Sequence, residues 1–437
     1  MFWIEFIIVL LAIFIGARIG GVGLGVMGGV GLAILTFGFG LQPTSPPIDV
    51  MLMIVAVITA AAAMQAAGGL DYLVSLAEKM LRKHPSRITF LGPIVTYLFT
   101  FVAGTGHVSY SVLPVISEVA LETGVRPERP LSIAVIASQQ AITASPISAA
   151  TVALLGMLSP MGYQLIDILM ISIPATISGV LVGAFFANKM GKDLEKDPEY
   201  LKRLKAGELE RPHSHADQKN IPLTAKISVY LFVLGAIAIV FFGSFASLRP
   251  EWLVEGKMVR LGMPEAIEII MMVVAALILI FSKVNVEKIA KGNVFQAGMQ
   301  AVIAIFGIAW MGDTFFSANM EFLGGSIKNL VTDMPWLFAG ALFVLSILLY
   351  SQAATVRALM PLGIALGLPA PALIAMFPAV NGYFFIPNYP TIVAAINFDR
   401  TGTTRIGKYL LNHSFMIPGL VATIVAISLG FLFISFL

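Results

Sequence analysis

The residues Ala144-Ser145-Pro146-Ile147-Ser148-Ala149-Ala150 form a polar patch that contains a proline, inside a very apolar chain. Apolar residues flank this patch on both sides, at 133–137 and 152–155. Proline has no backbone N–H and interrupts a helix. The patch therefore predicts a helix break at membrane depth. The backbone groups freed there must be satisfied by protein or must line a watery cavity.

The composition predicts a membrane protein with many spans. Of the 437 residues, 58% are hydrophobic and 12% are charged, whereas an ordinary soluble domain has about 25% charged residues. The apolar runs are long and apolar on every face, which favours helices over the alternating pattern of a membrane barrel. We therefore predict an all-α polytopic fold. The net charge of +3 gives no reason to expect nucleic-acid binding, and the lack of cysteine excludes thiolate metal sites.

One long polar stretch, at 189–226, divides the apolar runs into two groups. Lys and Arg are frequent in this stretch and in two shorter clusters, at 79–87 and 283–291. Basic loops lie preferentially on the cytoplasmic side of a membrane. We therefore predict an N-terminal transmembrane repeat at 1–188, a cytoplasmic linker at 189–226 and a C-terminal transmembrane repeat at 227–437.

Landmarks recur in the two halves at a nearly constant offset. Pro361 follows Pro114 by 247 residues, and Pro390 follows Pro146 by 244. Each half contains a polar tip, a short helix, a Gly-Pro turn and a second polar break. These features are too closely spaced for full spans throughout. The pattern predicts inverted repeats, each with a re-entrant hairpin and a broken helix, as is typical of secondary transporters.

Residues 70–87 carry apolar side chains at helical spacing, with charged residues opposite. This pattern predicts an amphipathic helix on the membrane surface. Asp71 and Asp313 each stand where an apolar run ends. We expect both to act as N-caps of the helix that follows.

The polar tips and breaks predict a binding site for a small anion with several carboxylate oxygens. Helix ends at a break leave free N–H groups and a positive dipole end, which favour anions. His107 is also able to carry a proton near neutral pH, and Arg357 is predicted as a charge partner. The residues predicted to contact substrate or a coupling ion are Thr105, Gly106, His107, Thr143, Ser145, Ser148, Ser351, Gln352, Asn388, Tyr389 and Thr391.

Enzyme motifs are missing from the sequence. It contains no His-Glu-x-x-His, no Gly-x-Ser-x-Gly elbow and no Walker sequence. We therefore expect neither catalysis nor ATP as the energy source, and no cofactor or metal. The residues leave open a carrier, a sodium- or proton-coupled cation antiporter on the same scaffold, a passive anion channel and a ligand-sensing partner of a regulatory protein.

Six segments at the tips, breaks and connectors carry a family resemblance: 104–107 (Gly-Thr-Gly-His), 126–130 (Arg-Pro-Glu-Arg-Pro), 144–148 (Ala-Ser-Pro-Ile-Ser), 351–354 (Ser-Gln-Ala-Ala), 389–391 (Tyr-Pro-Thr) and 402–407 (Gly-Thr-Thr-Arg-Ile-Gly). Together with 16–21 (Gly-Ala-Arg-Ile-Gly-Gly) and 412–413 (Asn-His), they resemble the anaerobic C4-dicarboxylate transporter (Dcu) family along almost the whole chain. The resemblance implies a multi-pass carrier of the bacterial inner membrane for fumarate, succinate, malate and aspartate. It also implies exchange of fumarate for succinate during anaerobic respiration.

The same resemblance suggests the wider ion-transporter superfamily, whose members are commonly homodimeric elevators with Ser-Asn-Thr at both hairpin tips. The tips of this chain read differently, as Gly-Thr-Gly at 104–106 and Ser-Gln-Ala at 351–353. Sodium ligands therefore do not carry over, and coupling to sodium or to protons stays open.

Overall fold

The computed structural model describes residues 1–19, 22–46, 48–207, 209, 221–254, 256–319, 334–349, 351–387, 389–407 and 411–435. Within these ranges the chain is mostly helical. Five of the described helices are long and apolar enough to cross a membrane. The mostly helical, multi-spanning character predicted from composition is confirmed.

The first half of the chain contains nine helices among the described residues. They are α1 (Phe2–Ile19), α2 (Gly23–Ala33, continued by a π-helical turn at Ile34–Gly38), α3 (Ile48–Ala66), α4 (Gly69–Lys83), α5 (Ile88–Ala103), α6 (Ser109–Glu122), α7 (Glu128–Ile142), α8 (Ala149–Leu158) and α9 (Leu165–Asn188). Short 3₁₀ turns lie at Pro85–Arg87, Gly106–Val108 and Ser159–Met161.

The polar stretch contains a 3₁₀ turn at Leu194–Lys196 and a short helix, α10 (Pro198–Lys205). The described helices that follow it are α11 (Leu223–Ser244), α12 (Met263–Ser282), α13 (Val286–Lys291), α14 (Asn293–Ala318), α15 (Pro335–Leu349), α16 (Gln352–Ala365), α17 (Ala370–Met376), α18 (Pro390–Phe398) and α19 (Met416–Ile434). Further 3₁₀ segments lie at Ala246–Leu248 and Phe377–Phe384.

Helix α4 is the amphipathic helix expected at 70–87. It is bent by 72° from the end of α3, and its apolar residues Leu73, Ala77 and Leu81 are buried. The predicted N-cap roles of Asp71 and Asp313 are both wrong. Gly68 occupies the N-cap position of α4, so that Asp71 lies inside the first turn. Asp313 lies within α14, five residues before its end, because the helix continues past the apolar run.

The two halves pack against each other in a reciprocal way. Helix α8, which follows the first break, packs on α16, which follows the second tip. Helix α18, which follows the second break, packs on α6, which follows the first tip. Each helix that follows a break therefore packs on the helix that follows the tip of the other half. This exchange of partners brings both tips and both breaks into one region of the molecule.

A second, smaller core joins this region to the N-terminal helices. Side chains of α1, α2, α14, α15 and α16 form it. Where α2 crosses α14, a Cβ added at Gly307 would lie 1.8 Å from the carbonyl oxygen of Gly25. The two backbones therefore meet without intervening side chains, so that α14 is held close to α2.

The sequence did not predict the small antiparallel hairpin between α11 and α12. Strands β1 (Glu251–Val254) and β2 (Lys257–Arg260) pair with Glu251 opposite Arg260. Every residue of both strands is exposed. The expectation of an all-α fold thus holds for the membrane-spanning part and misses this connector, whose strands are too short to give a clear periodic pattern.

A buried ionic cluster fixes the start of the polar stretch to the start of α7. Arg126 donates from Nε to Glu128 and from a terminal nitrogen to Asp197, at 2.5 Å in each case. Ser414 donates to the second carboxylate oxygen of Glu128 at 2.6 Å. The cluster therefore connects the linker, the beginning of α7 and the segment before α19.

The connector between α18 and α19 is organised by one carboxylate. Asp399 is buried and accepts hydrogen bonds from the backbone N–H groups of Thr401 at 2.9 Å and Thr404 at 2.6 Å. The hydroxyl of Thr403 donates to the same carboxylate at 2.8 Å. Several donors on one buried carboxylate hold the loop in a single conformation.

Candidate functional site

The first break separates α7 from α8, at the patch 144–150. Ser148 is the N-cap of α8, where its hydroxyl accepts from the backbone N–H of Thr151 at 3.1 Å. The same hydroxyl donates to the carbonyl of Ile142 at 2.6 Å, which is the last residue of α7. Ser148 therefore satisfies a donor and an acceptor left by the two broken helix ends, as capping requires.

Ser145 attaches the same break to the first hairpin. Its fully buried hydroxyl donates to the carbonyl of Phe101 on α5 at 2.6 Å. The predicted break is thus confirmed in position. The hydroxyls of Ser145 and Ser148 both donate hydrogen bonds to backbone carbonyls of the protein. The sequence alone did not indicate these bonds.

The first tip joins α5 to α6. Gly104 ends α5 with a positive φ of 68°, and a Cβ there would lie 2.9 Å from the side chain of Ile147. A glycine is required because the tip turns in the left-handed region directly against the break. The carbonyl of Gly106 accepts from Ser109 at 2.7 Å. The side chain of His107 lies outside the described part of the structure.

A small cavity of about 110 Å³ lies beside this tip. Thr105 and Gly104 form one wall, and residues of α3 and α14 form the other, including Ile54, Val57 and Gly298. The walls are mostly apolar. The tip and break therefore meet α3 and α14 across a loosely packed apolar surface.

The second tip joins α15 to α16. Ser351 is the N-cap of α16, where its hydroxyl accepts from the backbone N–H of Ala354 at 3.2 Å. Gln352 follows directly, is 6% exposed and points into the protein. Both predicted residues of this tip therefore lie at the N-terminus of a helix, where the dipole is positive.

The second break lies between the 3₁₀ segment Phe377–Phe384 and α18. The rings of Tyr383 and Tyr389 pack with their centroids 4.3 Å apart. Thr391, in the first turn of α18, is 4% exposed, and its hydroxyl has no hydrogen-bond partner among the described residues. Asn388, which the sequence also predicted for the site, lies outside the described residues.

An amide that the sequence analysis missed connects the breaks to the second tip. Asn381 accepts from Nε2 of Gln352 at 3.1 Å and donates from Nδ2 to the hydroxyl of Thr143 at 3.3 Å. Nε2 of Gln352 also contacts the hydroxyl of Tyr383. This chain of side chains, called the Asn381 bridge below, joins Thr143 at the end of α7 to Gln352 at the start of α16.

Arg357 lies in the second turn of α16 and is half-buried. Asp313 lies on α14. Helices α14 and α16 pack together. The cation predicted as a charge partner for substrate therefore lies on a helix that packs against the helix carrying Asp313.

The whole chain matches one family model. The model is described as the anaerobic C4-dicarboxylate membrane transporter, and the match covers residues 1–437. The protein belongs to this Dcu family. The family consists of transporters and not enzymes, which confirms the expectation drawn from the missing catalytic motifs.

Curated relatives agree with this assignment over nearly their full lengths. The chain is 46% identical to the C4-dicarboxylate transporter DcuA of Wolinella succinogenes over 428 residues, which are 98% of each chain. It is 46% identical to DcuA of Escherichia coli K12 over 438 residues, which are 100% of each. It is 42% identical to the anaerobic C4-dicarboxylate transporter DcuB of Escherichia coli O157:H7 over 444 residues, which are 99% of this chain and 98% of that one.

Two solved structures share the fold of this Dcu protein. The YdaH transporter of Alcanivorax borkumensis aligns over 99% of this chain and 97% of its own, with a TM-score of 0.54 and 13% identity. MtrF of Neisseria gonorrhoeae aligns over 92% of this chain and 84% of its own, with a TM-score of 0.50 and 12% identity. At these identities the likeness concerns the fold alone, which is that of a membrane transporter.

The Asn381 bridge gives a prediction about transport by this Dcu protein. In Thr143→Val the buried Nδ2 group of Asn381 loses its acceptor. This loss destabilises the bridged arrangement by about 1–3 kcal/mol. We expect C4-dicarboxylate uptake into proteoliposomes to fall about tenfold, because 1.4 kcal/mol corresponds to a factor of ten.

Thr96→Val is the matched control. Thr96 is also fully buried, and its hydroxyl donates only to Gly92 in its own helix, at 2.8 Å. We expect uptake by this variant to stay within about twofold of the parent, since only a bond within one helix is lost. Equal uptake by the two variants would show that the bridge has no role in transport.

Proposed function

We propose that the protein exchanges C4-dicarboxylates, namely fumarate, succinate, malate and aspartate, across the bacterial inner membrane, with fumarate moving in and succinate moving out during anaerobic respiration. The observation that carries the proposal is the Asn381 bridge, which joins the broken helix of each half to the tip of the second half. Membership of the Dcu family supports the substrate class.

The proposed binding site uses helix N-termini from both halves. Helices α8, α16 and α18 begin at the first break, the second tip and the second break. Their positive ends suit the two carboxylates of one substrate, since free N–H groups and the dipole both favour anions. The proposed contact residues are Thr105, Gly106, His107, Thr143, Ser145, Ser148, Ser351, Gln352, Asn388, Tyr389 and Thr391, with Arg357 as charge partner.

The proposed movement is that of an elevator. In this proposal the repeats 1–188 and 227–437 are inverted, the linker 189–226 is cytoplasmic, and the protein is a homodimer. The two hairpins and two broken helices move together past the other helices. The reciprocal packing of α8 on α16 and of α18 on α6 supports one common unit. The loosely packed apolar cavity beside Gly104 supports a sliding surface against α3 and α14.

Counterflow in liposomes tests the proposal. The purified protein is reconstituted into liposomes loaded with succinate or with buffer, and uptake of labelled fumarate is followed. We expect fast uptake only into succinate-loaded liposomes. Equal uptake into both would contradict exchange, and no uptake of any C4 acid would contradict the substrate class.

The same liposomes separate the remaining candidates. A sodium or pH gradient that changes fumarate uptake would identify the coupling ion. Sodium or proton movement without any dicarboxylate would favour a cation antiporter. Electrical conductance without counterflow would favour a passive anion channel.

A further inference from the structure

Gln139 stands out among the buried polar residues of α7. It is 2% exposed, yet neither Nε2 nor Oε1 of its amide has a hydrogen-bond partner among the described residues. The residues on either side of it each form a side-chain hydrogen bond, although Oε1 of Gln140 also lacks a partner among the described residues. Ser138 accepts from the hydroxyl of Thr100 at 3.0 Å, and Nε2 of Gln140 donates to Thr423 at 3.1 Å.

The position of Gln139 directs it toward the Asn381 bridge. Residues four apart lie on the same face of a helix, so Gln139 lies one turn before Thr143 on the face that meets Asn381. A buried amide with both ends unpaired is rare in proteins and costs stability. The hydroxyl of Thr391 at the second break is unpaired in the same way. Both groups therefore suit a polar ligand that enters this region.

The amide offers two different interactions to such a ligand. Its NH₂ group donates hydrogen bonds, and its carbonyl oxygen accepts them. A carboxylate of any C4-dicarboxylate accepts from the NH₂ group. The carbonyl oxygen needs a donor, and only the hydroxyl of malate and the ammonium of aspartate supply one beside the carboxylates. Fumarate and succinate carry no donor on their carbon chain.

We infer that Gln139 contacts the substrate and strengthens the binding of C4-dicarboxylates that carry a donor at the second carbon, malate and aspartate, relative to fumarate and succinate. The inference rests on the proposed function. In the bound state Nε2 of Gln139 donates to a carboxylate, and Oε1 accepts from the hydroxyl or ammonium group. Removal of the amide therefore weakens the binding of malate and aspartate more than the binding of succinate.

Competition in counterflow tests the inference. Labelled succinate uptake into succinate-loaded liposomes is measured with unlabelled malate, aspartate or fumarate outside, for the parent, Gln139→Met and Gln139→Glu. In Gln139→Met we expect the half-inhibiting concentrations of malate and aspartate to rise about tenfold relative to that of fumarate, which is the effect of one lost hydrogen bond. In Gln139→Glu we expect aspartate to become the best competitor, because only aspartate carries a cation.

The possible outcomes separate this inference from the proposed function. If the parent shows no counterflow with any C4 acid, the proposed function is wrong. If the parent exchanges succinate but the competitor ratios are the same in all three proteins, Gln139 does not discriminate between C4-dicarboxylates with and without this donor. An equal loss for all competitors in Gln139→Met, together with a lower melting temperature in detergent, would assign Gln139 a structural role and overturn the inference.

Discussion

Replacing Ser145 and Ser148 together with alanine is expected to abolish C4-dicarboxylate binding. The hydroxyl of Ser145 ties the first break to α5, and that of Ser148 ties the end of α7 to the start of α8. Without them the N-terminus of α8 loses its fixed place in the proposed site. Each substitution leaves a backbone carbonyl without its donor, which costs about 1–3 kcal/mol, so we expect binding of succinate to weaken by about a hundredfold.

Binding of labelled succinate to the purified protein measures this effect. Loss of the Ser148 cap also costs about 1 kcal/mol of stability, so a control with a similar loss is needed. Asn285→Ala removes the side chain that caps α13, at an exposed position outside the proposed site. We expect this control to bind succinate normally. Normal affinity in the double serine variant would show that the site is centred elsewhere.

The sequence predicted those features of the fold that depend on local chemistry. The break at 144–150 follows from Pro146 within apolar runs, and the structure ends α7 and begins α8 around it. The tip at Gly104 follows from a residue that turns in the left-handed region. The amphipathic helix α4 follows from periodicity. Each of these signals lies within a few residues of the feature that it determines.

The sequence could not predict contacts between distant parts of the chain. Asn381 is a lone amide in the apolar run 377–384, and its isolation among apolar residues is a sign of a buried polar contact. Its partners, Thr143 and Gln352, are 238 and 29 residues away. Pairing at such distances depends on how helices pack, and no periodicity encodes it. For the same reason, residue types gave no indication that Ser145 donates to a carbonyl of α5.

Replacing Arg126 with methionine is expected to destabilise the protein strongly. The side chain of Arg126 is 4% exposed, and the side chains of its partners Glu128 and Asp197 are 10% and 8% exposed. Methionine leaves two buried carboxylates without their cation, and breaking a buried pair in this way costs about 3–5 kcal/mol. Heating in detergent, followed by size-exclusion chromatography, measures the loss of folded protein. The variant should unfold at a clearly lower temperature than the parent.

Lys291, the last residue of α13, provides the control. It pairs with Glu287 at 3.8 Å, and both side chains are 79% exposed. An exposed pair contributes about 0–1 kcal/mol, so Lys291→Met should unfold close to the parent temperature. Equal effects of the two substitutions would contradict a special role of the buried cluster.

The loss of stability in Arg126→Met depends on pH because of Asp197. Burial raises the pKa of its carboxyl, but hydrogen bonds from Arg126 and from the start of α10 outweigh burial and hold the pKa below its usual range. A lowered pKa stabilises the folded protein above the unfolded value of about 3.9 and loses that effect as pH falls through the folded value. In Arg126→Met only burial and the backbone bonds remain, so the pKa of Asp197 rises and protonation relieves the unpaired charge. The stability difference between parent and variant should therefore be largest near pH 7 and narrow as the pH falls toward 4. A difference that grows on acidification would show that Arg126 does not act through this carboxylate.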